Sequence, residues 1–240
     1  MDYRSPISAN SSASAATQTP EFLRAAQQNR VLRNTYMLLA LSLLPTIAGA
    51  WAGSMLNFVA LYIRAPIAAP LLTIAVIFGA FFVVNLLRNS VWGIVALFAF
   101  TFIAGMMTTP ILTYSAGFSN GGLLVALAAG MTATIFFVLA SIASVTTRDF
   151  SFMGKFLFAG VILLLIAIVA NLFLAIPALS LTISCVAVLI FSAYILYDVN
   201  RIVRGGETNY IMATLCLFVN IWILFTHLLN ILLALAGERD

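Results

Sequence analysis

Few side chains in this sequence can do chemistry away from water. Asp198 stands near the end of a long apolar stretch, and Arg201 follows three residues later on the same helical face. A carboxylate placed there can exchange a proton, meet a passing cation, or pair with the arginine while the guanidinium reaches outward. Both readings stand: an interfacial Asp–Arg pair, or a working group on an ion pathway. In the last apolar stretch, Asn220, His227 and Asn230 fall within about 80° of one another on a helix of 3.6 residues per turn. A lipid-facing helix does not carry three polar groups on one side, so this face is expected to point inward. Asn220 can serve as a helix-to-helix hydrogen bond or as a ligand group, and His227 as a packed donor or as part of the pathway.

Other chemistries lack their residues. One histidine cannot build a multi-histidine zinc site. Lys155, the only lysine, falls in a connection and cannot form a Schiff base in the last helix. No GxSxG nucleophile setting occurs. Gly205-Gly206-Glu207 lacks the GK[ST] ending of a phosphate loop and reads as a turn. Cys185 and Cys216 sit inside apolar stretches and read as small packing residues, with a disulfide between them left open. The sequence therefore predicts no enzyme, no resident metal and no cofactor.

The elements that must position these groups are set by composition. The chain has 240 residues, 63% hydrophobic and 8% charged, against about 25% charged in soluble domains. The solvent for most side chains is lipid. A spanning helix needs about 20 mostly apolar residues, and stretches of that kind run over 35–54, 66–87, 91–113, 121–144, 156–175, 178–200 and 210–235. Runs such as Val161-Ile162-Leu163-Leu164-Leu165-Ile166 have no alternation and exclude a membrane β-barrel. Only Ile176-Pro177 separates spans five and six, and proline permits a tight reversal there. The fold expected is all-α: a polytopic bundle of seven transmembrane helices with the last helix near the centre.

Charge then orients the bundle. With a cytoplasmic N-terminus, nine of the eleven Lys and Arg residues fall on the inner side, leaving Arg64 and Arg239 outside. Positive residues accumulate on the cytoplasmic side. The net charge of +4 reflects that bias and needs no nucleic-acid partner. Residues 1–33 read as a cytoplasmic tail, disordered over the Ser-, Ala- and Thr-rich stretch 5–19 and able to form a short helix at 21–33. Residues 34–236 form the membrane domain and 237–240 a short periplasmic end. Gly49 and Gly53 make a GxxxG in span one, and Gly122, Ala126, Gly130 and Thr134 recur every four residues in span four. Such stripes let helices approach closely, within the bundle or between copies. Pro45 and Pro110 are expected to kink or end their helices.

These residues resemble a known family. Ala193-Tyr194-Ile195-Leu196-Tyr197-Asp198 is similar to the sixth-helix acidic motif of the Bax inhibitor-1 (TMBIM) family. Its bacterial YccA-type branch is resembled at Val31-Leu32-Arg33-Asn34-Thr35-Tyr36, at Val169-Ala170-Asn171-Leu172-Phe173-Leu174 with Pro177-Ala178-Leu179, and at Gly205-Gly206-Glu207-Thr208-Asn209-Tyr210-Ile211. The resemblance covers residues 30–240.

Two roles are implied by the resemblance. YccA-type proteins of the bacterial inner membrane bind and restrain the membrane-anchored AAA protease FtsH, with their N-terminal tail available to it. Other relatives are pH-sensitive calcium leak channels in which aspartates on helices six and seven share a proton. Asp198 fits the first of those positions, while the second is Asn220. Close carboxylates titrate as a coupled pair, and an amide cannot ionise, so that coupling is absent here. The expectations are an FtsH modulator or, alternatively, a cation leak with Asp198 at the cytoplasmic mouth and Asn220, Arg201 and His227 along the pathway.

Overall fold

The computed structural model describes the backbone of residues 9–237 and the side chains of residues 28–237. Helix α1 covers Ala9–Met55, and its membrane-crossing part is Gln28–Met55. The six other crossing helices are α3 (Ala68–Leu87), α4 (Trp92–Ala116), α5 (Gly121–Val145), α6 (Met153–Leu174), α7 (Pro177–Val203) and α8 (Tyr210–Gly237). A short helix, α2 (Val59–Arg64), lies in the first connection. No strand occurs among the described residues. The chain is a seven-span, all-α membrane protein.

Two differences from the sequence reading lie in the first sixty-five residues. The irregular tail was expected to reach residue 19, yet helix begins at Ala9, in a stretch rich in the strong helix former alanine; residues 1–8 and 238–240 lie outside the described ones. Helix α2 has no sequence signal because six residues are too few to show a period. It is set off from α1 by Asn57 in the left-handed region (φ 51°), a conformation that asparagine tolerates.

Helix α8 is the hub. It packs against α1, α3, α4, α5 and α7, and Leu215, Leu217, Leu224 and Leu229 are fully buried around it. Helices α3 and α6 are peripheral: few of their side chains are buried, Ala69 and Val84 in α3 and Leu157 and Leu164 in α6. Neither Pro45 nor Pro110 ends its helix, since both lie inside unbroken α1 and α4. In water, each would cost about 3 kcal/mol; in a bundle, neighbouring helices and local adjustments re-satisfy the freed carbonyls.

The GxxxG of α1 packs inside the chain. A methyl group on Gly49 would collide with the Phe102 carbonyl of α4, and one on Gly53 with the Thr109 hydroxyl. Gly105 reciprocates, facing the Thr46 carbonyl of α1. The stripe on α5 does not pack in this way. Gly122, Ala126, Gly130 and Thr134 are all exposed, and a methyl on Gly122 or Gly130 meets nothing within 4 Å. The buried face of α5 is the other one, carrying Leu124, Ala128, Thr132 and Phe136.

The α6–α7 reversal uses two residues. Ala175 adopts a left-handed conformation (φ 50°), and the Asn171 side-chain carbonyl accepts the Ile176 amide at 3.1 Å. Pro177 then opens α7 at a position where no amide donor is needed.

Candidate functional site: a buried carboxylate–amide pair

Asp198 and Asn220 meet where α7 and α8 cross. The Asn220 Nδ2 donates to Asp198 Oδ2 at 2.7 Å. Both are buried, at 8% and 5% exposure. A carboxylate so placed is tolerable only with a donor, and the amide supplies one. The pair lies near the face from which α1 enters, because Asp198 is five residues before the end of α7.

Arg201 does not pair with Asp198. It reaches away, to Glu207 Oε2 at 3.1 Å, and its Nε donates to the Gly206 carbonyl at 3.4 Å. Of the two readings open for Asp198, the interfacial Asp–Arg pair does not form: α7 turns Asp198 toward α8, while Arg201, with 43% of its side chain exposed, finds an acid in the turn.

That turn is built by Gly205 to Tyr210. Gly205 takes φ 74°, which favours glycine, and a side chain there would also strike the Gln28 amide. Glu207 Oε1 accepts the Asn209 amide at 3.0 Å, the far half of its contact with Arg201. Asn209 Oδ1 accepts the amides of Ile211 and Met212 at 3.0 and 3.1 Å, an N-cap for α8. Its Nδ2 donates to the Arg88 carbonyl (2.9 Å) and to Asn89 Oδ1 (3.0 Å), tying this turn to the α3–α4 connection. Asn200 does the same for the α5–α6 connection: Oδ1 accepts the Phe150 amide at 3.3 Å and Nδ2 donates to the Arg148 carbonyl at 3.2 Å. Arg204 also donates to the Thr147 carbonyl. In the same connection, the Ser151 hydroxyl and amide donate to Asp149 and hold its carboxyl below the usual range. The three connections on this face are thus fastened around the Asp198–Asn220 pair.

His227 belongs to a second cluster. Its Nδ1 lies 3.0 Å from Ser184 Oγ, and Asn230 Nδ2 donates to the same oxygen at 2.8 Å. Ser184 is fourteen residues before Asp198 on α7, about 21 Å along the helix at 1.5 Å per residue. The polar stripe of α8 does face inward, but it serves two sites rather than one. Ser184 and Asn200 were not legible as site residues, because a lone serine or a terminal asparagine is common in helices. A third cross-link, Trp222 Nε1 to Thr108 Oγ1 at 2.8 Å, joins α8 to α4. Both cysteines are free, and no group of three His, Cys, Asp or Glu residues gathers among the described residues.

Comparison with known proteins agrees with this architecture. The family model described as "Inhibitor of apoptosis-promoting Bax1" matches residues 28–237. The "Modulator of FtsH protease YccA" of Escherichia coli K12 is 42% identical over 206 residues, 85% of this chain and 90% of that protein. A membrane protein of Vibrio cholerae is 40% identical over 216 residues, 90% and 94% of the two chains. A protein of Pseudomonas aeruginosa is 42% identical over 210 residues, 88% and 91% of the two chains.

Proposed function

Since this chain belongs to the Bax inhibitor-1 family, we propose that it is a bacterial inner-membrane partner and modulator of the FtsH protease. The observation that carries this reading is the 42% identity, over 85% of this chain, to a relative named as a modulator of that protease. The chain enters the membrane from the cytoplasm, because nine of eleven basic residues then lie on the cytoplasmic face. Residues 1–30 lie on the same side as a membrane-anchored cytoplasmic protease domain and form the handle it engages. The test is purification of the tagged full chain from native membranes. FtsH is expected to co-purify in stoichiometric amounts, and its absence under conditions that retain other membrane complexes would reject the reading.

A second reading rests on the buried pair itself. Ionisable groups inside a membrane bundle mark pathways for ions or protons, and Asp198 is buried within α7 beside the hub helix. In this reading the chain is a slow calcium leak, with Asp198 at the cytoplasmic mouth. Liposomes loaded with a calcium dye provide the test. Flux should fall in Asp198→Ala, and equal flux from wild type and variant across pH 6 to 8 would remove Asp198 as the gate.

A further inference from the structure

Helices α1 and α5 both pack on α8, and a groove of about 960 Å³ opens between them. Its floor is Phe218, Trp222 and Phe225 of α8, and its walls are almost wholly apolar. The α1 wall runs from Tyr36 to Ile47, about 16 Å, which is one leaflet of a hydrocarbon core about 30 Å thick. The wall residues Ala40, Leu43 and Ile47 are exposed, so the groove opens sideways into the bilayer.

Tyr36, Ser141 and Ser144 line the groove near the face from which α1 enters, and Thr46 and Thr132 line it farther along. The α1 stripe that forms the wall is 36, 40, 43 and 47, and its spacing extends one step back to Arg33. Arg33 is exposed and has no acid partner among the described residues. Arg148 lies on the same membrane face, three residues past the end of the α5 wall. An apolar slot one leaflet deep, with an exposed cation one helical step beyond its α1 wall, is complementary to an apolar molecule with an anionic head.

We propose that this groove binds one anionic glycerophospholipid, with its acyl chains along the α8 floor and its phosphate at Arg33. The edge-to-face pair Tyr36–Phe136 makes the groove irregular at its Tyr36 end. Flexible acyl chains adapt to such a shape. This site is independent of the protease partner proposed above.

Trp222 reports occupancy directly, because its ring forms part of the floor. Trp51 and Trp92 are exposed to lipid, so their replacement by phenylalanine leaves one indole without touching the core. The full chain in neutral detergent is titrated with phosphatidylglycerol or phosphatidylcholine carrying brominated acyl chains. The Trp222 fluorescence should fall saturably with phosphatidylglycerol. Arg33→Gln should weaken the midpoint about tenfold, the effect of losing one charge-assisted contact, and Ala133→Phe, which fills the groove from its exposed wall, should abolish saturation. The size-exclusion profile shows that each variant is folded, and the two act from different helices, so loss of one leaves the other as a test. Quenching that is linear in bromolipid content, equal for both headgroups and unchanged in Ala133→Phe would overturn the proposal. So would disulfide formation between two copies of Ala133→Cys in native membranes, which would place a second chain in the groove.

Discussion

The Asp198–Asn220 contact makes its energetics and its pH behaviour separable. Removing the amide in Asn220→Ala leaves a buried carboxylate without its donor, which costs about 1–3 kcal/mol or more when the group is charged. Thermal unfolding in detergent should show the loss, and Asp198→Asn in the same background should recover part of it, because the neutral group needs no anion-stabilising donor. Asn220→Asp does something different. It sets two carboxylates within hydrogen-bond reach, able to share a proton at low pH and repelling each other once both ionise. Dye flux in liposomes should then become steeply pH-dependent, rising from pH 6 to 8, while the wild type changes little over that range. At this scale the sequence was partly legible. Asp198 and Asn220 stand out because polar groups in apolar runs are few, but spacing on one helix cannot show which neighbour a side chain meets. Arg201 lies three residues from Asp198 and pairs instead with Glu207, across the turn.

Among elements, α1 and α4 approach each other closely at Gly49 and Gly105. Gly49→Val should cost about 1–3 kcal/mol through overpacking against the Phe102 backbone, whereas Gly130→Val on α5 should leave the melting temperature of the monomer unchanged, since nothing lies within 4 Å. A pair of melting curves decides this. The contrast also shows what a small-residue pattern conveys: it marks a smooth stripe, while its partner depends on which way the helix is rotated, and that rotation is set by burial on the opposite face. The α7–α8 turn is the second element-scale feature. Asn209→Ala removes the α8 cap and both ties to the α3–α4 connection; loss of a cap alone costs about 1 kcal/mol. Faster amide hydrogen exchange should appear at Ile211 and Met212 in that variant. The Gly-Gly-Glu-Thr-Asn-Tyr segment was readable as a turn from its glycines, but its role as a fastener depends on a distant carbonyl at Arg88 that no local pattern reveals.

For the molecule as a whole, hydropathy alone conveyed the seven spans, because a bilayer leaves the backbone no alternative to helices. The centrality of α8 was also readable, since three polar groups on one face cannot look at lipid. The lateral groove was not. Its walls come from α1 and α5 and its floor from α8, and each helix taken singly shows only ordinary apolar surface. Under the proposed function, the likeness to a relative named as a modulator of FtsH protease makes the N-terminal segment the part of the chain expected to engage that protease. The most direct measurement is the half-life of a membrane substrate of FtsH in cells overproducing either the full chain or a chain lacking its first twenty residues. The full chain should lengthen that half-life, and the shortened chain should leave it unchanged while becoming longer-lived itself. Equal protection of the substrate by both chains would contradict the account.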